Sequence, residues 1–183
     1  MEKIIAYHCA PALAGIKPSN LVSISKENTQ DIASEIERLN KLLNCKDIYI
    51  EKIHECTSRV LAIVYRKKVL LRHLKKAESI KFLRKYGYRE AEKTEDFMEI
   101  LKYRLSNSPE FPHEIGVFLG YPINDIYGFI HHKNEGCLLC GEWRVYQNAD
   151  EAKELFRRFK FCRNALLKRI ESGVTLAEVF CTI

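Results

Sequence analysis

The sequence predicts a helix-rich α+β fold (mixed α/β): a single domain, residues 1–183, in which a small mixed sheet of about four strands is flanked by helices. Three observations carry this expectation. Apolar runs of strand length, at residues 3–7, 48–53 and 60–66, are separated by longer stretches with apolar residues at helical spacing. Neither an internal repeat nor a low-complexity linker interrupts the chain. Its 183 residues, 46% hydrophobic and 30% charged, have the length and composition of one globular domain.

Residues 3–7 precede a turn-like segment and read as the first strand. Pro11, Gly15 and Pro18 punctuate that segment, and Pro11 opens a short helical turn that Gly15 closes. Between 28 and 44, Ile32, Ile36, Leu39 and Leu43 recur at helical spacing and mark an amphipathic helix. Residues 48–53 and 60–66 are strands, and the tight link around 55–58 makes them antiparallel. The second is apolar from Val60 to Tyr65, as a central strand is. Residues 68–86 form a helix in two pieces that Gly87 stops. Residues 94–106 form another, with Thr94 as N-cap. A loop and a short helix share 109–122, and a short helix comes next at 124–132. In the strand at 142–146, Trp143 and Val145 alternate with Arg144 and Tyr146. Asn148 caps a long final helix reaching Glu171, with Ala152, Leu155, Phe156, Phe159, Cys162 and Leu166 on one face, and Gly173 ends it.

The longest apolar run, Val60 to Tyr65, is far too short to span a bilayer, so no membrane role is expected. Ala12-Leu13-Ala14 has the form of a signal-peptidase site, but Tyr7 and His8 precede it in place of a continuous apolar stretch. The segment reads as mature protein and the location as cytoplasmic. Seven cysteines, an odd number at irregular spacing, argue against a secreted disulfide framework. Cys162 and Cys181, on predicted helices, read as small buried apolar residues. The net charge of +6 is concentrated: residues 66–93 hold eleven Lys or Arg and three Glu. A basic surface there, including Lys75, Lys76, Lys81 and Lys85, suits an acidic protein partner such as a flavodoxin. Nucleic acid is the less favoured partner, because no helix-turn-helix, zinc-finger or RNA-recognition signature accompanies the charge.

Three sets of residues carry chemistry. The first is Cys9 with the distant His113 and Glu114, a thiol, an imidazole and a carboxylate in the order that nucleophilic thiol catalysis uses. A cysteine where a strand gives way to a helix N-terminus has its thiolate favoured. Residues His8, Lys17, Asn20, Arg66, Tyr121 and Tyr146 are candidate contacts for a small anionic ligand, Arg66 because crevices at strand ends commonly bind ligands. The second is Cys137-Leu138-Leu139-Cys140-Gly141, half of a zinc knuckle, with His131 and His132 upstream as further ligands for a metal ion. The third is aromatic and basic, Tyr65-Arg66, Tyr86-Gly87-Tyr88 and Trp143-Arg144-Val145-Tyr146, where packing between sheet and helix is the favoured reading of Trp143. Glycine-rich phosphate loops, Gly-x-Ser-x-Gly elbows and His-Glu-x-x-His pairs are all missing from the sequence.

His8-Cys9-Ala10-Pro11-Ala12-Leu13-Ala14-Gly15-Ile16-Lys17 with Asn20-Leu21, Phe111-Pro112-His113-Glu114-Ile115-Gly116 with Gly120-Tyr121-Pro122, and Trp143-Arg144-Val145-Tyr146 together resemble the bacterial domain-of-unknown-function 3793 family. Asp125 with Gly128-Phe129-Ile130, and Tyr65-Arg66, fit the same pattern. The resemblance covers nearly the whole chain and implies no established activity. It implies a shared site around Cys9, His8, His113 and Glu114, and it leaves Cys137 and Cys140 outside the family pattern. The expectation is a cytoplasmic protein with a polar pocket that binds a small anionic metabolite or a metal-containing cofactor, with thiol chemistry at Cys9. The alternative is a non-catalytic adaptor docking an acidic partner on the basic surface.

Overall fold

The computed structural model describes residues 1–29, 31–133 and 135–181. In chain order the elements are α1 (Glu2–Leu13), β1 (Ser19–Ser25), α2 (Ile32–Leu43), β2 (Ile48–Glu55), β3 (Arg59–Arg66), α3 (Lys67–Leu74), α4 (Ala77–Leu83), α5 (Thr94–Asn107), α6 (Ile115–Phe118), α7 (Ile123–His132), β4 (Leu139–Cys140), β5 (Arg144–Val145), α8 (Ala149–Glu171) and α9 (Leu176–Cys181). Helices dominate, with two small sheets, so the fold is α+β. The chain forms two compact units, one from residues 1–70 and 162–183, the other from 71–161. Among the described residues no helix is long and apolar enough to cross a membrane.

In the first unit, the strand expected at residues 3–7 is helix instead. Ile5, Ala6, Cys9, Ala10 and Leu13 recur three and four residues apart and are all buried along α1. Five residues taken alone cannot separate such a stripe from a strand. Pro11 lies inside α1 rather than at a helix start. A proline there disturbs the backbone ladder, and the Ala12 N–H donates to Asn20 Oδ1 at 3.1 Å. Past Gly15 (φ +74) the chain enters β1, which the sequence reading missed. There Asn20, Val22 and Ile24 face inward, and serines at 19, 23 and 25 dilute the apolar signal.

The strand order is β1-β3-β2, antiparallel throughout, with Val22 opposite Ala62 and Ile50 opposite Val64. The expected antiparallel pair and the central position of the apolar strand are both present. α1 packs on β1 and β3, and α2 packs on β2. Ile5, Leu13, Ile24, Leu39, Leu43, Ile48 and Val64 belong to the core between them. On the outer edge of β2, the Asn40 side chain accepts from the Ile50 N–H and donates to the Ile50 carbonyl, both at 2.8 Å. Beyond Gly173 (φ +92) a further helix, α9, which carries Cys181, packs on α2.

In the second unit, the helix at 68–86 does fall into pieces, ending in a 3-10 turn at Arg84–Tyr86 and stopping at Gly87 (φ +96). At the start of α5 the capping differs from expectation. Lys93 is the N-cap, and the Asp96 carboxylate accepts from the backbone N–H groups of Glu92 (2.9 Å) and Lys93 (2.8 Å). Thr94 stands in the first turn, its buried hydroxyl without a hydrogen-bond partner. An aromatic group of Tyr88, Phe97 and Phe118 packs α5 against α6. The strand at 142–146 shrinks to β5, paired with β4. Asn148 (φ +52) precedes α8, and its carbonyl accepts from Ala152 N. The predicted face of α8 supplies Ala152, Leu155, Phe156 and Phe159 to a cluster with Trp143 and Val145.

A candidate ligand pocket in the second unit

The Phe111–Pro122 stretch folds as two tight turns around α6. The carbonyls of Pro112, His113 and Glu114 accept from the N–H groups of Ile115, Gly116 and Val117, and Gly120 (φ +74) reverses the chain so that Tyr121 N reaches the Gly116 carbonyl at 2.9 Å. Pro122 then opens α7, its carbonyl accepting from Asp125 and Ile126. Gly116 makes the corner possible: a Cβ there would lie 3.0 Å from Ile126 and 3.2 Å from the Tyr121 ring.

Asp125 joins this corner to the β4–β5 ribbon. Its carboxylate is buried and accepts three hydrogen bonds, from Trp143 Nε1 (2.7 Å), Tyr146 N (2.7 Å) and Gln147 N (3.1 Å). A carboxylate so engaged is an anchor rather than a free acid. Trp143 is thereby held stacked on Tyr121 (5.1 Å between centroids) and edge-on to Phe156 (4.6 Å). The Tyr121 hydroxyl donates to the Glu142 carbonyl at 3.2 Å, and burial pushes its pKa up to about 12. Tyr146 crosses α7 at Gly128, where a Cβ would sit 2.4 Å from its ring, and its hydroxyl donates to the Lys133 carbonyl.

Between these parts lies a cavity of about 250 Å³. Pro112, Ile115, Gly116, Ile126 and Trp143 line it, Phe111 and Phe129 are exposed aromatics on its wall, and His113 and Arg144 are its cationic or ionisable groups besides Asp125. The His113 ring meets Phe129 edge-on at 5.6 Å. Apolar walls with a few polar groups are the usual make-up of a small-molecule site.

The other sequence-selected residues fall elsewhere. Cys9 is fully buried in the core of the first unit, inside α1 rather than at a helix N-terminus, and burial pushes its thiol far above the ordinary range. Away from a helix N-terminus and enclosed in the core, Cys9 lacks the setting that favours a reactive thiolate. His8 is exposed on α1, and partial burial and Arg163 lower its pKa. Lys17 is buried in the same unit. Asn20 caps the Ala12 N–H. Arg66 donates from Nε to the Leu13 carbonyl and from Nη1 to the Lys46 carbonyl, both at 2.8 Å, so it ties the end of α1 to the turn after α2. Glu114 turns away from His113. It is fully buried and ion-paired with Arg104 Nε of α5, its second oxygen lacking a hydrogen-bond partner.

His131 and His132 lie on α7 beside aromatic rings of Tyr127 and Tyr146. Among the described residues no group of three or more His, Cys, Asp or Glu is placed to hold a metal ion. Cys137 and Cys140 therefore stand without the further ligands a zinc knuckle needs. Their sulfurs are 3.3 Å apart, and this contact holds the Cys140 thiol above its ordinary pKa.

Sequence reasoning found His113 and Tyr121 and placed Arg144 in the aromatic and basic set, but passed over Asp125 and Phe129 as site residues. A signal was present: Asp125 and Phe129 are four apart on a helix and so share a face with the end of the Phe111–Pro122 stretch. A family model described as "Protein of unknown function (DUF3793)" matches residues 5–180 of the chain. No curated protein and no solved structure matches it.

Proposed function

We propose that this chain, which belongs to the DUF3793 family of proteins of unknown function, is a cytoplasmic protein that binds a small anionic metabolite with a flat apolar body. The supporting observation is the convergence of the Phe111–Tyr121 corner, α7 and the Trp143–Arg144 turn on one cavity. These are three of the stretches that carry the family pattern. A volume of about 250 Å³ exceeds the roughly 150 Å³ that suffices for benzene, so a single ring with a short acidic substituent fits. The apolar walls desolvate the ring. Arg144 and His113 supply donors for the acid, and guanidinium pairs with carboxylate through two parallel hydrogen bonds. Asp125 faces its anchoring donors and keeps Trp143 in place. No step in this reading uses Cys9, and binding rather than catalysis is the activity.

Trp143 is the chain's single tryptophan and lines this pocket, so tryptophan emission reports on its surroundings. Titration with benzoate and cinnamate should change that emission saturably, and the neutral amides should act more weakly. Arg144→Gln should weaken the carboxylates about tenfold, the worth of one charged hydrogen bond, and leave the amides unchanged. An absence of saturable response to either series overturns the reading.

A further inference from the structure

Cys140 lies in β4 of the β4–β5 ribbon, Cys137 two residues before that strand, and neither takes part in lining the pocket. Hydrogen bonds flank them: Leu138 N donates to the Val145 carbonyl at 2.8 Å, Gly141 N donates to the Trp143 carbonyl at 3.0 Å, and Cys140 lies opposite Arg144. The two sulfurs are 3.3 Å apart, in contact, where a disulfide would hold them at about 2.05 Å. Cys140 is exposed and Cys137 half-buried. Arg144 Nη1 donates to the Cys140 sulfur at 3.5 Å, a cation facing the more accessible thiol.

We propose that Cys137 and Cys140 form a dithiol that reduces low-molecular-weight disulfides and closes to an intramolecular disulfide. The Cys140 thiolate attacks one sulfur of the small disulfide. That S–S bond breaks, one thiol leaves, and a mixed disulfide forms on Cys140. Cys137, held against it, loses its proton and attacks the Cys140 sulfur, expelling the second thiol. The protein gives up two electrons and two protons, and the small disulfide becomes two thiols. The Cys137 contact raises the Cys140 thiol and Arg144 opposes it, favouring the negative sulfur of Cys140 as attacker.

The full chain, reduced and then equilibrated in buffers of graded oxidised-to-reduced glutathione ratio, is trapped with iodoacetamide and mapped by peptide mass. The expected result is loss of alkylation at Cys137 and Cys140 together, at one ratio, with their peptide two hydrogens lighter. Cys56, an exposed thiol beside Ser58, serves as internal reference and should carry only mixed disulfide. Cys137→Ser should leave glutathione trapped on Cys140. Persistent alkylation of both Cys137 and Cys140 across the series overturns the proposal, as does a stable mixed disulfide in the unaltered chain.

Discussion

Glu114 shows how a single residue can mislead and still matter. Beside His113 in the sequence it suggests an orienting carboxylate, but adjacent residues entering a helical turn point in different directions. Its carboxylate meets Arg104, while His113 meets the pocket. Removing one partner of a buried pair strands the other charge. Arg104→Ala should therefore lower stability by about 3 kcal/mol, read as a shift of the urea unfolding midpoint. Replacing both, with Arg104→Met and Glu114→Leu, should recover most of that loss. Equal loss in the single and double variants would show that the pair carries no such coupling. Asn20 and Arg66 mislead in the same way: each resembles a ligand contact because the backbone group it serves, Ala12 N–H or the Leu13 carbonyl, is invisible in a sequence.

Elements were legible where periodicity ran long. α2, α5 and α8 follow unbroken apolar stripes, and β3 is apolar from Val60 to Tyr65, so each was found within a few residues. α1 and β1 were not, since a short apolar run ending in proline suits strand or helix, and β1 hides among serines. His73 adds a property of the α3–α6 contact. It lies against the Val117 backbone, and burial, then Lys76, lower its pKa from 6.5, while Val117 and Glu78 oppose. The folded chain thus favours neutral His73 and binds fewer protons than the unfolded chain below pH 6.5. Stability from this group is complete above that value and is lost as pH falls through the lower folded pKa. The urea midpoint should drop on acidification from about pH 7 to 5, and His73→Gln should flatten that drop. An unaltered slope in the variant would assign the acid sensitivity to other groups.

At the scale of the whole molecule, the sequence motifs distribute between two units. The His8–Asn20 motif builds the core and helix end of one, and the Phe111–Pro122 and Trp143–Tyr146 motifs build the pocket of the other. About half of the pocket was therefore readable, the half carried by turn-forming residues. The rest, Asp125 and Arg144 above all, depends on a three-way hydrogen bond between segments some twenty residues apart. The small sheet of the first unit has a further bearing on how copies of the chain behave toward each other. β2 is an edge strand, and open edges recruit strands from neighbouring molecules. The Asn40 amide fills the donor and acceptor of Ile50 as a strand's backbone would. Asn40→Ala should leave that edge open, and sedimentation velocity should show concentration-dependent association where the unaltered chain stays a single species. A monomeric variant would place the protection elsewhere. One side chain of α2 thus acts as a false neighbour, occupying the rung at Ile50 that a second molecule would otherwise take.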